Sequence, residues 1–193
     1  ALDRDFGLDA SGNASHAEAF IAGMRDAGVQ SVIKHYPGLG SVTGNTDFTT
    51  QGIEDDTTTL DGPQINAFIT ALDAHPAMVM ASLATYTAID RSQPAAFSDA
   101  LINSRLRGQA GYHGVVISDS LSATALQGIP VDQLGVRLVE AGGDLACISA
   151  IGDVDPVLDG LNDKASHDAA FAAQVTQSAI RVLALKYQMG LAR

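Results

Sequence analysis

Cysteine occurs once in the 193 residues, at Cys147, so no disulfide can close within the chain. That thiol sits in the apolar run Leu145–Ile148, where a small apolar side chain reads as part of a core, and it leaves the compartment open. Positive charge is scarce. Eleven Lys and Arg face 22 Asp and Glu, for a formal net charge of −11. An acidic chain of this kind repels phosphate backbones, which argues against nucleic acid as a partner. No apolar run approaches the roughly 20 residues of a membrane-spanning helix. A signal-peptide pattern, low-complexity tracts, obvious repeats and linkers are also missing. So are a phosphate-binding glycine motif, a Cys/His zinc pattern and a G-x-S-x-G turn, and the sequence therefore implies neither a metal nor a cofactor.

What is present is a globular composition, 46% hydrophobic and 17% charged, long enough for a single domain over 1–193 with a substantial core. Helix and strand signals alternate. Ser15 and Glu18 form a capping-box pair ahead of Ala19, Phe20 and Met24, a helix that ends at Gly28. Val29–Ile33 reads as a first buried strand, and a polar loop rich in Thr, Asp and Gly runs on to Gly62. Pro63 opens a helix with Ile65, Phe68, Ile69 and Leu72 at helical spacing. Ala77–Ser82 reads as a second strand. Ser98 is placed to cap a helix carrying Leu101, Ile102 and Leu106. Gly114–Ser118 is a third strand and Val131–Ala141 a helix stopped by Gly142 and Gly143. Leu145–Ile148 is a fourth strand, and Ala169–Tyr187 a long final helix with Val175, Ile180, Leu183 and Tyr187 on or near one face. Four βα units preceded by one helix predict an α/β fold with a parallel sheet and outer helices. The pattern is the same for an open sheet and for a barrel.

Two segments sit where parallel α/β proteins bind ligands, at the C-terminal ends of strands. Lys34-His35-Tyr36-Pro37-Gly38-Leu39-Gly40 follows the first strand and offers a Lys and a His as donors. Gly114-Val115-Val116-Ile117-Ser118-Asp119-Ser120-Leu121-Ser122 ends the third strand with an Asp. Taken alone, such an Asp reads as a helix cap or a solvated strand end. The acidic run Glu54-Asp55-Asp56 reads as a solvated loop rather than a metal site. His16, His75 and His167 lack metal-ligand spacing and read as solvated or capping groups. His113, just before a strand, reads as structural.

Both segments resemble signatures of family 3 glycoside hydrolases, in the β-N-acetylglucosaminidase branch. The first resembles K-H-F-P-G-H-G, with Tyr36 for Phe and Leu39 for His. The second resembles G-V-I-F-S-D-D-L-S, whose first Asp is the family's nucleophile. Arg105–Gly108 and Tyr112–Gly114 resemble the lead-in to that strand, and Asp3-Arg4-Asp5-Phe6-Gly7 resembles x-R-S-F-G. The resemblance implies a (β/α)8 TIM barrel of which the four βα units here are the C-terminal half. The chain would start at the loop after the fourth strand, with the first four strands missing. It implies retaining hydrolysis of O-glycosyl bonds, β-N-acetylhexosaminidase-like or β-glucosidase-like. Asp119 would be the nucleophile, and Arg4, Lys34 and His35 would hold the sugar hydroxyls. A half-barrel further implies a separate chain or second copy that completes it. The branch's acid/base Asp-His dyad is replaced: Asn45 stands for Asp and Asp47 for His, and a third His position is Leu83. Asp47 is then the candidate acid/base, on a loop with glycines to make it mobile. The rival reading is a catalytically inactive carbohydrate-binding or scaffold protein on the same fold.

Overall fold

The computed structural model describes residues 6, 7 and 9–192. Helix α1 spans Ala10–Asp26 and starts earlier than its capping-box signal, because the Asp9 carboxylate accepts the Gly12 amide at 2.8 Å. Asp caps a helix as well as Ser does, and Ala10 to Ala14 offer no break, so the helix runs back to the first good cap. Five strands follow: β1 (Val32–Tyr36), β2 (Glu54–Asp55), β3 (Met78–Ala81), β4 (Thr85–Tyr86) and β5 (Val115–Ser118). β1, β3 and β5 form one parallel sheet in sequence order, with Val32 opposite Met78 and Val79 opposite Val116. β2 and β4 form a small parallel pair in the loops beyond it.

β1 lies three residues later than its apolar run predicts. The Val29 amide closes the end of α1 on the Met24 carbonyl, and the Val29 side chain stays exposed. Lys34 and His35 are therefore strand residues rather than the start of a loop. The Lys34–His35 and Tyr36–Pro37 peptides are cis, and the register with β3 shifts between Lys34 and Tyr36. The expected fourth strand is present only as a bridge between Ile117 and Leu145. Leu145 pairs through Val116 and Ser118, but the next amide, of Cys147, goes to the Ser118 hydroxyl and not to a backbone carbonyl.

The helices are α2 (Pro63–Ala71), a π-helix over Ala100–Gln109, α3 (Val131–Glu140), α4 (Val154–His167) and α5 (Ala169–Gln188). The π-helix shows i to i+5 bonds from the Ser104 amide to Asp99 and from the Ala110 amide to Arg105. It buries Leu101, Ile102 and Leu106, as the sequence spacing requires. The Ser98 hydroxyl, expected as its cap, instead donates to Asp90. The main core joins Ile33, Tyr36, Val79, Val116, Leu101 and Leu138. At the N-terminal side of the sheet a fully buried Asp144 carboxylate accepts from Arg107 at 2.6 Å, Arg181 at 2.7 Å and the Val116 amide at 2.8 Å. The expected apolar face of α5 is only partly covered: Ile180, Leu183 and Tyr187 are exposed. A cavity of about 450 Å³ opens beneath α5 among Val139, Leu145, Val175 and Leu183. No helix among the described residues is long and apolar enough to cross a membrane.

Candidate active site

β1 and β5 bring Lys34, His35 and Asp119 to the same end of the sheet. His35 Nε2 lies 3.4 Å from Asp119 Oδ2, with both side chains mostly buried. Asp119 is fixed at three points. Its amide donates to the Ala81 carbonyl at the end of β3, its Oδ1 accepts the Ser120 amide at 2.9 Å, and its Oδ2 faces the imidazole. It caps no helix, since the nearest helical turn, Thr124–Leu126, is entered from Ala123. Lys34 is exposed at the same mouth. Cys147 stands there as well and is only partly buried, not the core residue its apolar run suggested. Burial and then the Asp119 charge push its thiol pKa up, with Lys34 pulling the other way. Arg4 lies outside the described residues.

The loop after β1 is held from several sides. The fully buried Tyr86 on β4 donates its hydroxyl to the Gly38 carbonyl at 2.6 Å, and burial pushes that phenol pKa well up. Leu39 packs half-buried against the core, and Leu83 is buried, so both leucines are apolar packing groups and not proton carriers. Asn45 accepts the Asp47 amide on its side-chain oxygen, a local turn closure. The Thr46 and Asp47 carbonyls accept the Ala125 and Thr124 amides from the stretch that follows Asp119. One glycine of the loop expected to be mobile is set by packing. The Gly44 amide bonds Gly52 at 2.7 Å, and a Cβ at Gly44 would run into the Gln51 carbonyl. This glycine serves a close backbone approach. Asp47 itself is exposed and enters none of the ion pairs among the described residues.

Tyr86 and Ser149 carry no motif and escape a sequence reading, and Ser120, whose hydroxyl meets that of Ser149 at 2.7 Å, lies in the second signature without any sign of that contact. The reading of Glu54-Asp55-Asp56 as a solvated loop fails at Asp55, which is buried on β2, unlike its exposed neighbours Glu54 and Asp56. Burial alone would raise its carboxyl pKa, but hydrogen bonds from Thr58 and Thr57 outweigh it and hold the pKa below the usual range. The only signal was the Thr57–Thr59 run beside it. Among the described residues no group of three or more His, Cys, Asp or Glu side chains could hold a metal ion. A second cavity of about 440 Å³, among Leu72, His75, Tyr112 and His113, lies at the N-terminal ends of the strands. Neither cavity is lined by Asp119.

Comparison with known proteins gives one answer for nearly the whole chain. The model of the glycosyl hydrolase family 3 N-terminal domain matches residues 2–185. The β-hexosaminidase LpqI of Mycobacterium tuberculosis is 32% identical over 194 residues, covering 95% of this chain and 49% of that protein. A β-hexosaminidase of Alkalilimnicola ehrlichii is 36% identical over 156 residues, covering 74% of this chain and 44% of that protein. Among solved structures, a β-N-acetylhexosaminidase from Beutenbergia cavernae superposes with a TM-score of 0.90 at 46% identity, covering 95% of this chain and 54% of that one. The chain thus spans about half the length of the curated relatives it matches.

Proposed function

Because the chain belongs to glycosyl hydrolase family 3, we propose that it carries the nucleophile of a retaining glycosidase acting on β-linked N-acetylhexosaminides. The observation that carries this reading is the seating of Asp119: one carboxylate oxygen tied to the Ser120 amide, the other facing His35 across 3.4 Å at the strand ends. A carboxylate oriented in that way can attack an anomeric carbon, expel the leaving group and hold the sugar as an ester until water releases it. Lys34, His35 and Arg4 donate to the sugar hydroxyls. Asp47 is the acid that protonates the leaving oxygen and the base that later activates water. The names of the matched relatives favour an N-acetylhexosamine over glucose.

The experiment is a mechanism-based trap. A 5-fluoro N-acetylglucosaminyl fluoride should leave its sugar on Asp119, read by peptide mass spectrometry. Asp119→Asn should abolish the adduct and lower kcat by several orders of magnitude, with ligand affinity little changed. A loss below about tenfold, or an adduct elsewhere, would make Asp119 a structural group. A second reading, a carbohydrate-binding protein without turnover, is favoured by the pinned loop that holds Asn45 and Asp47. Tight sugar binding with no product and no adduct would establish it.

We also propose that 1–193 is the C-terminal half of a (β/α)8 barrel. The parallel strands in sequence order, the fourth strand position at Leu145 and the doubled length of the relatives support this. On this reading the other four strands come from further chain or from a partner.

A further inference from the structure

Phe48 and Ile151 are the two most exposed large apolar side chains of the described residues, at 78% and 90%. Phe48 stands in the loop after β1 and Ile151 opens the short 3-10 turn Ile151–Asp153, and both segments are tied to one stretch, residues 120–125, directly after Asp119. On one side the Thr124 and Ala125 amides bond the Asp47 and Thr46 carbonyls, immediately before Phe48. The Phe48 and Thr49 amides both close on the Asn45 carbonyl, which fixes the turn that presents the ring. On the other side Ser120 and Ser149 share a hydroxyl contact of 2.7 Å, and the Ala150 amide bonds the Ser122 hydroxyl, immediately before Ile151. Two apolar side chains are therefore held in water by well-bonded loops, at the two ends of the stretch that begins beside the nucleophile.

Resting on the glycosidase reading, we infer that Phe48 and Ile151 form an apolar rim that receives the leaving-group sugar of a β-linked di- or oligosaccharide, and that the rim favours leaving groups without negative charge. A pyranose ring presents an apolar C–H face, and covering an exposed aromatic ring with it removes apolar area from water on both sides. The loops are already ordered, so binding costs little further chain entropy. Selectivity comes from the neighbouring charge. Asp47 adjoins Phe48 and is exposed, while Lys34, the cation exposed at the same mouth, is taken up by the first ring on the glycosidase reading, so an anionic second ring meets repulsion where a neutral one does not.

The test is calorimetric titration of the full chain carrying Asp119→Asn, so that no ligand is consumed. N,N′-diacetylchitobiose should bind about tenfold more tightly than N-acetylglucosamine. Phe48→Ala or Ile151→Ala should remove that margin and leave the monosaccharide affinity unchanged, while Phe48→Tyr keeps it. The same disaccharide with a lactyl-ether carboxylate on its second ring should bind about tenfold more weakly, a loss that Asp47→Asn recovers. A margin that survives Phe48→Ala and Ile151→Ala, or no margin in the parent, overturns the rim. Wild-type hydrolysis is measured in parallel. Turnover without a margin leaves the glycosidase standing and the rim refuted. A margin without turnover does the reverse.

Discussion

At the scale of single residues, the geometry of the candidate site depends on groups outside it. Tyr86 is the sharpest case. Its hydroxyl is the tie between the core and the Gly38 carbonyl, two residues past the buried Tyr36. Tyr86→Phe keeps the packing and leaves that carbonyl short of a partner, at a cost of about 1–3 kcal/mol. The loop beyond His35 would lose its fixed position, and positional errors near the chemistry are expensive. On the proposed glycosidase reading, kcat/KM on an activated aryl N-acetylglucosaminide should fall about tenfold while the melting temperature drops by only a few degrees. An unchanged kcat/KM would remove Tyr86 from positioning. That Lys34, His35 and Asp119 would share one end of the sheet was legible because strand ends mark it. Tyr86 was not, since a tyrosine after an apolar strand carries no sign of which distant carbonyl it will reach. Cys147 misled for a related reason: an apolar run predicts burial, but past the Leu145 bridge the chain leaves the sheet and emerges into the mouth.

At the scale of elements, periodicity gave α2, α3, α5, β3 and β5 to within a residue or two, and it missed α4 altogether. Val154–His167 carries Pro156 and Gly160, both of which read as breaks. Pro156 lies in the first turn, where its missing amide would be unbonded in any case. Gly160 marks a close approach: a Cβ there would run into the Asp132 carbonyl of α3. Gly160→Ala should therefore push α4 off α3 and destabilise the fold by about 1–3 kcal/mol, although alanine is the better helix former. Chemical denaturation measures it, and a neutral or stabilising result would show that the helices have slack. β1 slipped by three residues because the chain first spends Val29 on ending α1. The fourth strand faded to a bridge because a serine hydroxyl took the place of a carbonyl.

At the scale of the whole molecule, the described sheet has β1 at one side and the Leu145 bridge at the other, with neither paired further outward among the described residues. Ile180, Leu183 and Tyr187 on α5 add exposed apolar surface. Such surface is what the half-barrel proposal calls on to meet the other half. If that proposal holds, 1–193 expressed alone should self-associate or bind a chain bearing four further strands, with light scattering giving at least twice its own mass. A cooperative, stable monomer would refute the half-barrel proposal. The Asp144 cluster carries a different consequence, about the order in which a sequence can drift. One buried carboxylate holds Arg107 and Arg181 together. Losing an arginine leaves a balanced pair, whereas losing the aspartate leaves two guanidiniums facing each other without a counter-charge. Replacement can thus proceed through Arg181, the more exposed of the two at 28% against 12%. Asp144 is the last of the three that could change, which makes a residue far from the mouth one of the least replaceable in the chain.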